Sequence, residues 1–167
     1  TLVIVIGIVG FISFRVVDDT GYFMRNTISM STKNYKVDNA MMTYYIKNMY
    51  HTYGSSFSSS IHSSKLLKDQ EYLDGTWLDQ FIDFTEPQVE EMLLTAELAK
   101  KEGMKLSDEH KDEIDESIKS MKSEAKTYNV SFDTYLSKVY GKGVKEKDIR
   151  KAMELATLSA QYQEDFR

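Results

Sequence analysis

The side chains with the widest chemical range in this chain are three histidines, His51, His62 and His110, set among 167 residues that include no cysteine. No two of them stand as a helical i, i+4 pair, and no HExxH occurs, so a zinc-hydrolase centre has no ligand frame. Without cysteine there is no thiolate ligand, disulfide, thiol nucleophile or lipidated N-terminal cysteine. Neither GxSxG nor GxxxxGK[ST] is present, which leaves no nucleophile elbow and no phosphate loop. The serines of Gly54–Ser64, GSSFSSSIHSS, have no partnered base and read as a low-complexity loop. Gly141-Lys142-Gly143 is too short to cradle a phosphate and reads as a turn in which glycine supplies positive φ. The carboxylates of Asp108–Glu116 suit the solvated start of a helix. No catalytic, cofactor-binding or metal-ligating residue is assigned.

What remains is contact chemistry. The segment Asn39–Tyr53, NAMMTYYIKNMYHTY, carries Met41, Met42, Tyr44, Tyr45, Met49, Tyr50 and Tyr53. As a helix opened by Asp38, it shows these residues most of the way round. Either two faces pack on two neighbours, or one face stays open to apolar partners. Methionine and tyrosine make adaptable contact surfaces. Met41, Met42, Tyr44, Tyr45, Met49 and Tyr50 are therefore the candidate peptide-binding residues.

The elements around that segment follow from helical periodicity. From Trp77, the positions Leu78, Phe81, Ile82, Thr85, Val89, Met92, Leu93, Ala96 and Ala99 share one face. After a break at Gly103, with Ser107 as N-cap, a second stripe runs Ile114, Ile118, Met121, Ala125 and Tyr128. A short connection predicts an antiparallel pair with Val89, Met92, Leu93, Ile114, Ile118 and Met121 buried between them. Pro87 predicts a kink in a single element, with a restart at Thr85 as the alternative. Ser131 caps a short helix ending at Gly141, and a last helix starts near Lys145. It carries Ile149, Ala152, Met153, Ala156, Ser159 and Ala160. One proline and eight glycines agree with an all-α fold.

Leu2–Phe14 is an uncharged run, LVIVIGIVGFISF. As a helix it is about 20 Å long, short of the roughly 30 Å hydrocarbon core. Read as a fragment, the chain has a truncated transmembrane or signal anchor over 1–17. A core strand is the alternative, since the run is rich in β-branched residues. Residues 18–36 read as a linker with an extended piece around Asn26–Met30, and 37–167 as the helical domain. The size allows one domain with a core. Net charge is −5, which disfavours nucleic acid and favours basic over acidic partners.

Certain stretches, taken together, are similar to a known family. They are YKVDNAMMTYYI, AELAKKEGMKLSDE and FDTYLSKVYGKGVKEKDIRKAMELATLSAQY. The join A-x-x-x-G-[apolar]-x-[apolar]-[ST]-[DE] at Ala99–Asp108 and the YL-x-x-x-YG step at Tyr135–Gly141 carry the likeness. The chain resembles the N-terminal chaperone domain of SurA/PrsA-type foldases, related to the trigger-factor peptide-binding module, over roughly Tyr35–Tyr162. The resemblance implies an extracytoplasmic, membrane-tethered module that holds unfolded or secreted polypeptides. Many members also carry a parvulin-type prolyl isomerase domain, and its histidine and cysteine or aspartate arrangement does not occur here. A fixed-partner helical scaffold is the rival, and a catalytic domain beyond Arg167 is a third expectation.

Overall fold

The computed structural model describes residues 28–57, 59–62 and 64–165. Two antiparallel strands, β1 (Ile28–Ser31) and β2 (Lys36–Asp38), lead into α1 (Asn39–Tyr53). Short 3-10 turns open the serine-rich loop, at Gly54–Phe57, and follow it, at Leu67–Asp69. A minimal antiparallel ribbon follows, β3 (Glu71–Tyr72) with β4 (Gly75–Thr76). Then come α2 (Trp77–Lys101), α3 (Asp108–Thr127), α4 (Phe132–Val139) and α5 (Glu146–Asp165). The described chain is mostly helical, in agreement with the all-α class. The expected anchor over 1–17 and residues 18–27 of the expected linker lie outside the described residues. Among the described residues no helix is long and apolar enough to cross a membrane.

The helix starts follow local capping chemistry. The side chains of Asp38, Ser107 and Ser131 accept from the backbone N–H of Met41 (2.9 Å), His110 (3.1 Å) and Thr134 (3.1 Å). Each satisfies a donor that the first turn leaves free. α2 opens at Thr76 with a full capping box: the Thr76 hydroxyl accepts from Asp79 N–H at 3.2 Å, and the Asp79 carboxylate accepts from Thr76 N–H at 2.8 Å. The helix then runs through Pro87 as one element. Thr85 starts nothing; its hydroxyl donates to the Phe81 carbonyl at 2.6 Å, the back-bond a buried threonine makes inside a helix.

Two expectations are refined by the structure. The extended piece expected around Asn26–Met30 within the linker of 18–36 overlaps β1, and it pairs with β2 in a hairpin closed by Thr32 N–H to the Tyr35 carbonyl at 2.9 Å. The second correction concerns the antiparallel pair. Val89, Leu93, Ile114 and Ile118 are buried, and Met92 and Met121 are half-buried. α2 and α3, however, do not form one interface. α5 lies between them: it packs along α2 on one side and against α3 on another, and it also meets α1. α5 can do so because Ile149, Ala152, Leu155 and Leu158 are all buried, with Met153, Ala156 and Tyr162 half-buried beside them. α3, whose apolar stripe is one residue wide, spends that stripe on α5 and α4.

The remaining end of the core is aromatic. Trp77 is 1% exposed and stacks on Tyr72, ring centroids 3.8 Å apart. Buried Gln70 ties the serine-rich loop to this end, accepting from His62 N–H at 2.7 Å and donating to the His62 and Lys65 carbonyls.

Candidate functional site

The expected peptide-binding residues are, for the most part, core. Met41, Met42, Tyr44, Tyr45 and Met49 are each 9% exposed or less, and Tyr50 is half-buried. The physical reason is that the first turns of α1 are enclosed by the hairpin, α2 and α5 together. A helix apolar on all sides is a buried helix. The Tyr45 hydroxyl donates to the Ala152 carbonyl of α5 at 2.8 Å, and burial pushes its phenol well above the usual range. Tyr44 meets Tyr140 with centroids 5.3 Å apart, where burial and then the Tyr44 phenol push Tyr140 up to about 12. Tyr50 packs edge-on to Phe81 at 5.5 Å. The phenols and methionines thus join helices to one another. They reach solvent at a shallow depression of about 250 Å³, where Tyr45 and Met49 lie beside Tyr53, Gln88 and Met92.

A larger open groove, about 830 Å³, lies at the other end of α1. Its floor is Met41 with Leu155 and Leu158 of α5, all buried. One wall is Tyr35 in the hairpin; the opposite wall is Met104 and Leu106 in the connection between α2 and α3. Those three are half-buried, with apolar surface facing water.

Hydrogen bonds fix both walls. Glu97 of α2 is 8% exposed and accepts from the Thr32 hydroxyl (2.7 Å), Asn34 N–H (3.1 Å) and the Asn34 side-chain amide. Burial works against its charge, but these bonds prevail and hold the carboxyl below its ordinary range. The clasp sets the hairpin turn, and with it Tyr35. Lys100 reaches over the Tyr35 ring at 5.6 Å, within cation–π range. On the other side α2 ends in a Schellman motif. Gly103 has φ +78°, Gly103 N–H donates to Lys100 O at 3.0 Å, and Met104 N–H donates to Ala99 O at 2.9 Å. The chain is thereby turned so that Met104 and Leu106 line the groove. Gln161 of α5 then clips the connection, donating to the Lys105 carbonyl (3.1 Å) and accepting from Ser107 N–H (3.1 Å). The Tyr162 hydroxyl donates to Glu102 at 3.0 Å.

The rim reverses the sign of the whole molecule. Lys36, Lys100, Lys105 and Lys151 line the groove against one carboxylate, Glu154. Among the described residues no carboxylate lies within 4 Å of any of these four ammonium groups, whereas Lys111, Lys119, Lys122, Lys145 and Arg150 are paired with Asp108, Glu116, Glu146, Asp133 and Asp115.

No acid–base constellation accompanies the groove. His51 and His62 are exposed at the far end, and His110 shares Gln161 Oε1 through Nδ1 at 2.9 Å. Among the described residues no group of three or more His, Cys, Asp or Glu side chains could hold a metal. Gly141 and Gly143 have φ +116° and +86° and make the turn expected of them. Comparison with protein-family models, characterised proteins and solved structures finds no match to this chain.

Sequence reasoning missed the groove because its lining comes from four separate segments. One local signal was available. Met104-Lys105-Leu106 alternates apolar, charged, apolar in a connection, the pattern of an extended piece with one face on apolar neighbours and one in water.

Proposed function

We propose that this domain binds unfolded or extended polypeptide, without catalysis, in the groove between the hairpin turn, the α2–α3 connection and α5. The observation that carries the proposal is a trough whose apolar walls, Tyr35, Met104 and Leu106, are half-buried above a buried apolar floor, between two hydrogen-bonded rims. An extended chain sends alternate side chains to opposite faces. Such a trough takes one row of apolar side chains and leaves the other row wet. Met104 adds polarisable, unbranched surface that adapts to varied clients. Affinity is modest, since the client must be ordered on binding.

The likeness to SurA/PrsA-type chaperone domains supports the same reading. It extends it to a membrane-tethered, extracytoplasmic module with Leu2–Phe14 as part of its anchor. That part is checked by carbonate extraction of the full-length protein, which should remain with the membranes; recovery in the soluble fraction overturns the tether. A scaffold for one fixed partner is the rival. It calls for a flat patch with little cavity, and the open trough favours a client.

The test is light scattering of a refolding protein in the presence of this chain. Met104→Ser combined with Leu106→Ser should weaken protection several-fold with an unchanged circular dichroism spectrum, as each lost apolar contact is worth on the order of 1 kcal/mol. Undiminished protection by the double variant removes the groove from the function. If the parent chain protects no client tried, the scaffold takes precedence.

A further inference from the structure

The groove's lysines carry an inference about what it selects, and this inference rests on the polypeptide-binding reading above. Four side chains converge on it from four parts of the chain: Lys36 from β2, Lys100 from the end of α2, Lys105 from the connection and Lys151 from α5. The acidic groups facing them are few. Glu154 shares the lining. Glu97 acts on Lys100, but its oxygens are taken by Thr32 and Asn34. Asp38 acts on Lys151 from the cap of α1, where its carboxylate is held by Met41 N–H. Elsewhere Lys111, Lys119, Lys122, Lys145 and Arg150 are each paired with a carboxylate, whereas four lysines gather on this one groove with a single carboxylate in its lining, so the rim carries a local excess of positive charge.

We propose that the groove is selective for acidic-apolar chain segments, in which a row of apolar side chains is flanked by aspartate or glutamate. The apolar row packs between the half-buried walls of Tyr35, Met104 and Leu106, above the floor, and the flanking carboxylates meet the lysine rim. A single-headed anionic amphiphile is a poorer fit. One carboxylate engages one or two of four cations that lie on different walls, whereas a polypeptide can place a charge at each. The preference runs against the overall charge of −5, because screening confines each interaction to about 8–10 Å at ordinary salt. The charges that a bound segment meets are those of the rim.

The experiment is fluorescence anisotropy of the full chain with three labelled twelve-residue peptides. They share one leucine-, phenylalanine- and methionine-containing core and differ in flanks of glutamate, glutamine or lysine. The glutamate peptide should bind roughly tenfold more tightly than the glutamine peptide, the sum of several exposed ion pairs, and the lysine peptide most weakly. The spread should collapse in 500 mM sodium chloride, about three times physiological ionic strength. Lys105→Gln with Lys151→Gln should remove most of the glutamate preference, weakening the glutamate peptide several-fold more than the glutamine peptide. Both lysines are exposed, so the fold survives the change.

Equal binding of all three peptides overturns the selectivity and leaves polypeptide binding standing. Binding of none overturns both. A preference that persists in the double variant places the selecting charge elsewhere and overturns the assignment to this rim. Two controls address other occupants. Displacement of the glutamate peptide by dodecanoate at micromolar concentration reassigns the groove to anionic amphiphiles. Self-association of the chain that the lysine substitutions abolish, seen by sedimentation, reassigns it to a second copy.

Discussion

The Thr32 hydroxyl donates to the Glu97 carboxylate at 2.7 Å across 65 positions of sequence, and with Asn34 it binds the hairpin to the middle of the fold. Glu97 is held below its ordinary range in the folded state. A depressed carboxyl stabilises the fold above its unfolded pKa, near 4.3, and that contribution is lost as pH falls through the lower folded value. Glu97→Gln should cost about 1–2 kcal/mol at pH 7, since Thr32 and Asn34 lose a charged acceptor on a buried side chain. The gap to the parent should narrow steadily below about pH 4. Thermal melts of both proteins from pH 7 to pH 3 check this; a gap independent of pH means that Glu97 is not the titrating clasp.

Met42 is 1% exposed and Tyr45 9% exposed, so both act on stability. Met42→Ala should cost about 2–5 kcal/mol through lost transfer energy and the cavity left behind. Tyr45→Phe removes only the bond to Ala152 O and should cost about 1 kcal/mol. Urea titrations measure both, and near-zero values for the pair would return α1 to the surface.

Gly103 sits at φ +78° with open space where a Cβ would be. Gly103→Ala therefore carries conformational strain without a clash. The expected cost is about 1–2 kcal/mol, with Gly103→Asn milder because asparagine tolerates this region. Since Met104 and Leu106 follow directly, Gly103→Ala should also weaken peptide binding in the anisotropy assay. Unchanged stability and binding together would show that the turn does not depend on glycine.

Ile118 is 2% exposed on α3, and α3 packs on α5 and α4. Ile118→Ala should cost about 2–5 kcal/mol. A double-mutant cycle with Ile149, buried on α5 between the Lys122–Glu146 and Asp115–Arg150 pairs that cross from α3, should show stronger coupling than one with Val89 of α2, because neighbouring residues are non-additive and separated ones add. Coupling that favours Val89 would restore the paired-helix arrangement.

The elements were readable from the sequence where the cause was local. Asp38, Ser107 and Ser131 announce their helices because a cap is a short-range hydrogen bond. Gly103, Gly141 and Gly143 mark turns because only positive φ is required there. The stripes of α2 and α3 predicted burial except at Tyr128, which lies past the end of α3 and is exposed, and they did not say which helix covers which. An apolar stripe says that it is covered and carries no label of its partner. The extended piece was legible but its pairing was not, because the strands are three and four residues long and the turn between them is held by Glu97, 63 positions away from Asn34. The methionine- and tyrosine-rich α1 could be read as an open surface or as a core seen from several sides. The placement of α5 decides between those, and no local pattern reports it.

That α5 closes over α1 has a consequence for synthesis on the ribosome. The Tyr45–Ala152 bond spans 107 positions, and the helix that completes the core is the last of the described elements to be made. At ~5–20 residues per second, α1 waits roughly 5–20 s for its cover. During that interval Met41, Met42, Tyr44 and Tyr45 are uncovered on a nascent chain. A protein proposed to shield the apolar segments of others must itself pass through a stage at which its own most apolar helix is without shelter.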